Sequence, residues 1–252
     1  MHASLLLIHI WWPLVMGLSL ATVVGRATGR PWQAAGTAML ALGIVVTYSL
    51  DRLRDAPRAM TPQLWRALAA VTAAAALATA LLLPFLPRET AVLVPLFGVV
   101  AALYPVLKRF TLGKTVVVPA IWTWGAIALP FNDGAWFGWH WLFEPIALPL
   151  FLLLAAGCLL CDLKDEAADR HAGVHSLPAS IGSPAAARVA SALALAAATV
   201  AWAEGRPAVT CGGLALGVVA WWPALLATEI IGPLLVDVVL TIPGLLILTR
   251  VV

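Results

Sequence analysis

Nine apolar stretches divided by short connections constrain this chain more than any other feature. They run over 3–24, 32–51, 64–86, 90–107, 114–131, 143–161, 184–203, 208–227 and 231–249. A helix needs about 20 apolar residues to cross the hydrocarbon of a bilayer. Inside it every backbone N–H and C=O must be bonded within the protein, which leaves helices or a closed barrel. The alternation of a barrel strand is absent. Charge agrees with immersion: 11% of residues are charged, where a soluble domain carries about 25%. The expected fold is all-α, a polytopic membrane helical bundle of about nine transmembrane helices with membrane lipids around it. It occupies 1–252 as a single domain, since no stretch has the composition of a linker or a soluble module. The first stretch has no basic leader and no clear cleavage site, and reads as a mature helix.

The few cations set an orientation. Ten of the fifteen Lys and Arg lie on the side reached by the connections after the second, fourth and sixth stretches. Excess Lys and Arg mark the cytoplasmic side, so a multi-pass protein of an inner or plasma membrane is expected, with those connections cytoplasmic. No basic cluster has the footprint of nucleic-acid binding, and nucleic acid is not an expected partner. Twelve Trp against two Tyr fit interfacial anchoring, and Trp136, Trp139, Trp141, Trp221 and Trp222 are read that way.

Half of the twelve carboxylates crowd into two runs on that same side. One is Asp51-Arg52-Leu53-Arg54-Asp55, the other Asp162-Leu163-Lys164-Asp165-Glu166-Ala167-Ala168-Asp169. Asp51 and Asp55 are spaced i, i+4. Asp162, Asp165 and Asp169 are spaced i, i+3, i+7, with Glu166 at i+4. On a helix each set shares a face. A solvated helix end, or a local Arg–Asp pair worth little when exposed, is the plain alternative. Carboxylates beside hydrocarbon are costly unless a cation neutralises them. Oxygen donors at this density suit a hard divalent ion such as Mg²⁺, above all with a phosphate as co-ligand. Cys158 and Cys161 have CxxC spacing but sit in an apolar helix, and are expected to be buried packing thiols. Asp237, inside the last stretch, is either functional or a structural, hydrogen-bonded carboxyl. His171 and His175 read as solvated loop residues, and Asn132-Asp133-Gly134 as a turn.

After the second run come Gly173-Val174-His175-Ser176-Leu177-Pro178 and Gly182. DxxDxxxD with this tail resembles the second aspartate-rich motif of the UbiA superfamily of intramembrane prenyltransferases. Thr47 to Asp55 resembles the first motif, NDxxDxxxD. Tyr104-Pro105-Val106-Leu107-Lys108, with Arg109 and Thr111, is similar to the YxxxK and KRxT elements. The resemblance covers roughly 40 to 250. It implies Mg²⁺-dependent transfer of an isoprenyl group from a prenyl diphosphate to a lipophilic acceptor, aromatic or other, through an allylic carbocation. Asp51, Asp55, Asp162, Asp165 and Asp169 would hold the metal, with Glu166 a weaker candidate. Tyr104, Lys108 and Arg109 would be catalytic, and Tyr48, Arg52, Lys108 and Arg109 would contact substrate. The chain departs from the family where Asn and Asp of the first motif become Thr47 and Tyr48. Its first helix offers His9, Trp11, Trp12 and Pro13 instead of the usual basic and Pro-Gly pattern. These departures give weight to a second expectation, a terpene cyclase or diphosphate lyase that needs no separate acceptor. A lipid carrier or small transporter is the third; transporters place charges near the midplane of repeated halves, whereas these runs lie at helix ends.

Overall fold

A backbone in hydrocarbon has no partner but itself, and the part of the chain described is mostly helical. A computed structural model describes residues 3–55, 60–107, 113–131 and 143–251, and among them there is no strand. The helices in chain order are α1 (Ala3–Thr28), α2 (Ala34–Asp55), α3 (Pro62–Leu82), α4 (Arg88–Leu107), α5 (Val118–Phe131), α6 (Ala147–Cys161), α7 (Glu166–His171), α8 (Leu177–Ile181), α9 (Ser183–Ala203), α10 (Pro207–Val219), α11 (Pro223–Leu226) and α12 (Ile231–Leu248).

Six of these, α1, α2, α3, α6, α9 and α12, are long and apolar enough to cross a membrane. The other three expected spans hold shorter apolar helices, Thr90–Val100, Thr115–Phe131 and Pro207–Val219, so a count of nine is not established. Proline explains one case. The stretch 208–227 breaks at Pro223, which cannot donate to a continuing helix and instead starts α11. The stretch 114–131 opens in a π-helical turn, Gly113–Val117, before α5 begins. Elsewhere the punctuation reads plainly: Thr61 caps α3, its hydroxyl accepting from Leu64 N–H at 3.3 Å, and Pro62 takes the first turn.

Small residues bring the helices together. α9 buries Ala186, Ala190, Ala194, Ala197 and Ala201 along one stripe. Gly213 of α10 lies so close to that stripe that a methyl there would stand 2.7 Å from the Ala194 carbonyl. Between helices in lipid, such close approach and interhelical hydrogen bonds supply the cohesion that water would otherwise drive. Ser19 of α1 shows the second kind of contact. Its hydroxyl donates to the Thr241 carbonyl at 2.8 Å and accepts from Gly244 N–H at 3.1 Å, tying α1 to α12. α6 forms the hub, with Leu150, Leu153, Leu154, Ala156, Leu159 and Leu160 almost wholly buried. The outer surface is apolar: Leu81, Phe85, Val92 and Leu248 are all more than 60% exposed. Patches of that kind need an apolar solvent. Trp221 and Trp222 are exposed too.

Candidate active site

The second acidic run forms where α6 ends. Asp162–Asp165 tightens into a 3-10 turn before α7 resumes at Glu166. At three residues per turn, positions i and i+3 eclipse, so Asp162 and Asp165 stack more directly than a continuous α-helix would place them. Lys164 Nζ pairs with Asp165 Oδ1 at 2.7 Å. Glu166 is drawn elsewhere. One oxygen takes an ion pair from Arg170 at 2.8 Å. The other accepts from Ser183 N–H at 2.8 Å and from the Ser183 hydroxyl. Arg170 Nε reaches on to the Ala179 carbonyl at 2.9 Å. Glu166 therefore ties α7 to the start of α9.

The tail of the motif is a set of helix ends. Val174 N–H bonds the Asp169 carbonyl and Gly173 N–H bonds Arg170, a Schellman closure in which Gly173 supplies the left-handed φ of 67°. Ser176 caps α8 by accepting from Ala179 N–H at 3.3 Å, with Pro178 in the first turn. Gly182, at φ 84° and ψ 150°, turns the chain into α9. That region of backbone space is essentially restricted to glycine.

The helix that carries the first run meets the second run at a cavity. Tyr48 of α2 and Asp162 line one cavity of about 140 Å³. Asp51 and Arg52 lie three and four residues beyond Tyr48, on the same face of α2. Tyr48 packs edge-on against Trp122 of α5, with ring centres 6.2 Å apart. Arg52 Nε is buried with no hydrogen-bond partner, and so is Ser49 Oγ in the same turn. A buried guanidinium donor left unpaired is costly and suits an anion. Thr47 is exposed and away from the cavity wall. From Asp162 the cavity runs inward past Cys158 and Leu154 to Met16 and Leu240; the eight residues from Asp162 to Leu154 span roughly 12 Å of helix. The volume is below the roughly 300–1,000 Å³ of drug-sized pockets.

Two features of this wall were not assigned from sequence. Cys158 and Cys161 line the cavity instead of packing away from it, and both remain free thiols. Asp237 of α12 lines the same cavity and lies within electrostatic range of both cysteines, as does Asp162. Hydropathy locates Asp237 at depth in a span, but gives no sign of which way the helix turns it.

Of the other predicted residues, Tyr104 falls in the last turn of α4; its side chain, like that of Asp55 at the end of α2, is not among those described. Lys108, Arg109 and Thr111 lie outside the described residues, as do Asn132-Asp133-Gly134 and Trp136, Trp139 and Trp141. His171 and His175 are exposed. Asp51, Asp162, Asp165 and Asp169 are all partly exposed oxygen donors, which suits a hard divalent ion. Among the described residues no three His, Cys, Asp or Glu side chains are gathered into a metal-holding group. Carboxylate oxygens with open positions for water and a phosphate are a donor type that a hard divalent ion such as Mg²⁺ accepts.

Residues 56–236 match the UbiA prenyltransferase family. The match takes in the whole second run and begins directly after Asp55, leaving α1, α2 and the first run outside it. The apo structure of a UbiA homolog from Aeropyrum pernix K1 is similar in fold, with a TM-score of 0.68 at 18% identity, covering 95% of this chain and 98% of that one. No curated protein matches the chain.

Proposed function

Because this chain belongs to the UbiA prenyltransferase family, we propose that it cleaves a prenyl diphosphate at this cavity and passes the isoprenyl group to a lipophilic acceptor. The observation that carries the reading is the shared cavity: Tyr48, one turn from Asp51 and Arg52, faces Asp162 across a space whose inner wall is hydrocarbon. Polar groups gather at the mouth, and apolar ones at the base. A prenyl diphosphate has the same division along its length.

The residues divide the work accordingly. Arg52 offers its unpaired buried Nε to a phosphate oxygen. Lys108 and Arg109, just past α4, add cationic contacts at the same side of the membrane. Met16, Leu154, Leu240 and Val118 line the inner wall and keep water from a carbocation. Tyr48 and Trp122 both line the cavity, and aromatic rings there would stabilise a cation. Asp51, Asp55, Asp162, Asp165 and Asp169 would hold Mg²⁺. The ion, when bound, neutralises charge on the departing diphosphate. The excess of Lys and Arg in the connections of this side supports a cytoplasmic mouth.

A second reading keeps ionisation and drops the acceptor. It is favoured by Tyr48, an aromatic ring on the cavity wall where the family pattern has a carboxylate. Incubation with a prenyl diphosphate alone separates the two. A cyclase or lyase releases hydrocarbon or terpene alcohol, while a transferase waits for its acceptor. Both readings require metal. Purified protein given geranyl, farnesyl or geranylgeranyl diphosphate, with a lipid extract as acceptor source, is expected to release diphosphate with Mg²⁺, to stop in excess EDTA, and to resume when Mg²⁺ is restored. Release that continues in EDTA would overturn the metal assignment, and no release from any of the three would overturn the proposed chemistry.

A further inference from the structure

A carboxylate in hydrocarbon is costly unless something balances it. Asp237 sits six residues into α12, among Leu234, Leu235, Val236, Val238 and Val239. Among the described residues no Lys or Arg forms an ion pair with it. Yet its position is held firmly. Val236 and Leu240 close on Gly157 of α6, where a methyl would stand 2.7 Å from Leu240 Cδ1 and 3.4 Å from Val236 Cγ1. One turn further on, Ser19 of α1 grips the Thr241 carbonyl and Gly244 N–H. α12 cannot turn Asp237 out of the cavity without opening both seams. The fold therefore fixes an acidic group deeper in the cavity than the phosphate end marked by Asp162, on a wall shared with Tyr48, Trp122 and Cys158.

Resting on the reading that a prenyl diphosphate ionises here, we propose that Asp237 is a catalytic residue, the counter-charge to the allylic cation. The C–O bond breaks, both electrons leave with the diphosphate, and the positive charge is shared between the two ends of the allyl group. Asp237 forms no bond and moves no proton in this step. The cation that the protein itself does not supply comes from the reaction. Its attraction to Asp237 exists only after charge has developed, so it acts on the barrier and not on substrate binding. Tyr48 and Trp122 contribute aromatic rings, whereas Asp237 acts through its carboxylate form.

Two unreactive ligands test this, with binding measured in detergent with Mg²⁺. One is the thiolo analogue of geranyl diphosphate, uncharged along its chain. The other is an aza analogue whose protonated nitrogen stands in for the cationic carbon. The wild type is expected to prefer the aza compound. Asp237→Asn should weaken the aza compound by about tenfold or more, some 1.4 kcal/mol, and leave the thiolo compound unchanged; Asp237→Glu should keep the preference. Equal binding of the two by the wild type, or a preference that survives in Asp237→Asn, would overturn the proposal. So would an Asp237→Asn protein weakened equally on both ligands, since that is the mark of a structural carboxyl. A wild type that binds neither compound would overturn the prenyl diphosphate reading, and the counter-charge with it.

Discussion

Tyr48 and Thr47 are neighbours in sequence and opposites in place. Tyr48 stands on the cavity wall with its ring edge-on to Trp122, while Thr47 is exposed. Only Tyr48 is therefore positioned to change what the cavity holds. A tyrosine is neutral at pH 7 and adds no charge to a metal set. Tyr48→Asp should lower the Mg²⁺ concentration needed for half-maximal rate, and Thr47→Asn alone should leave it unaltered. A titration of rate against Mg²⁺ for each variant checks this, and an effect confined to Thr47→Asn would contradict the orientation of α2. At this scale the sequence was informative where charge is scarce. Twelve carboxylates in an apolar chain make a cluster visible, and so Asp51, Asp162, Asp165 and Asp169 could be singled out. Asp237 could not be weighed the same way. Its direction is set by contacts at Gly157 and Ser19, which involve residues scores of positions away.

The segment from α6 to α9 looks like one acidic motif and behaves as two devices. Asp162 and Asp165 lie on the 3-10 turn at the cavity end of α6. Glu166 faces the other way and fastens α7 to Ser183 and Arg170. Spacing alone puts Glu166 on the same face as Asp162; the tightening of the helix and the return of α9 separate them. Two substitutions one residue apart should therefore fail differently. Asp165→Ala should lose at least about a hundredfold in rate, near 3 kcal/mol of barrier, and unfold at much the same temperature as the wild type. Glu166→Ala should lose about 1 kcal/mol of stability, the net size of a hydrogen bond between part-buried groups, and retain most of the rate while folded. Thermal unfolding and turnover measured on the same detergent preparations check both. The glycines, Ser176 and Pro178 of the tail were legible as punctuation because cap and turn residues act locally. Helix length was less legible. Hydropathy sums over 208–227 without registering that α10 ends at Val219 and a new helix starts at Pro223.

At the scale of the whole molecule, the end of α2, the start of α5 and the end of α6 meet at one cavity through Tyr48, Val118 and Asp162. Orientation in the membrane can be read directly. A single cysteine introduced by His171→Cys, with Cys158, Cys161 and Cys211 replaced by serine, should react with an impermeant maleimide in inside-out vesicles and be protected in intact cells. The reverse pattern would place the mouth outside. All-helical architecture followed from hydropathy because lipid allows few alternatives. Which helices touch did not, because small-residue seams such as Ala194–Gly213 carry no long-range mark in a sequence. The seam between α1 and α12 also sets a schedule for biosynthesis. Ser19 leaves the ribosome 222 residues before Thr241, a delay on the order of 10–45 s at ordinary elongation rates. For that interval the first helix carries a hydroxyl without its final acceptor. Its completion depends on α12, so a chain cut short before α12 is left open at the seam that Ser19 makes.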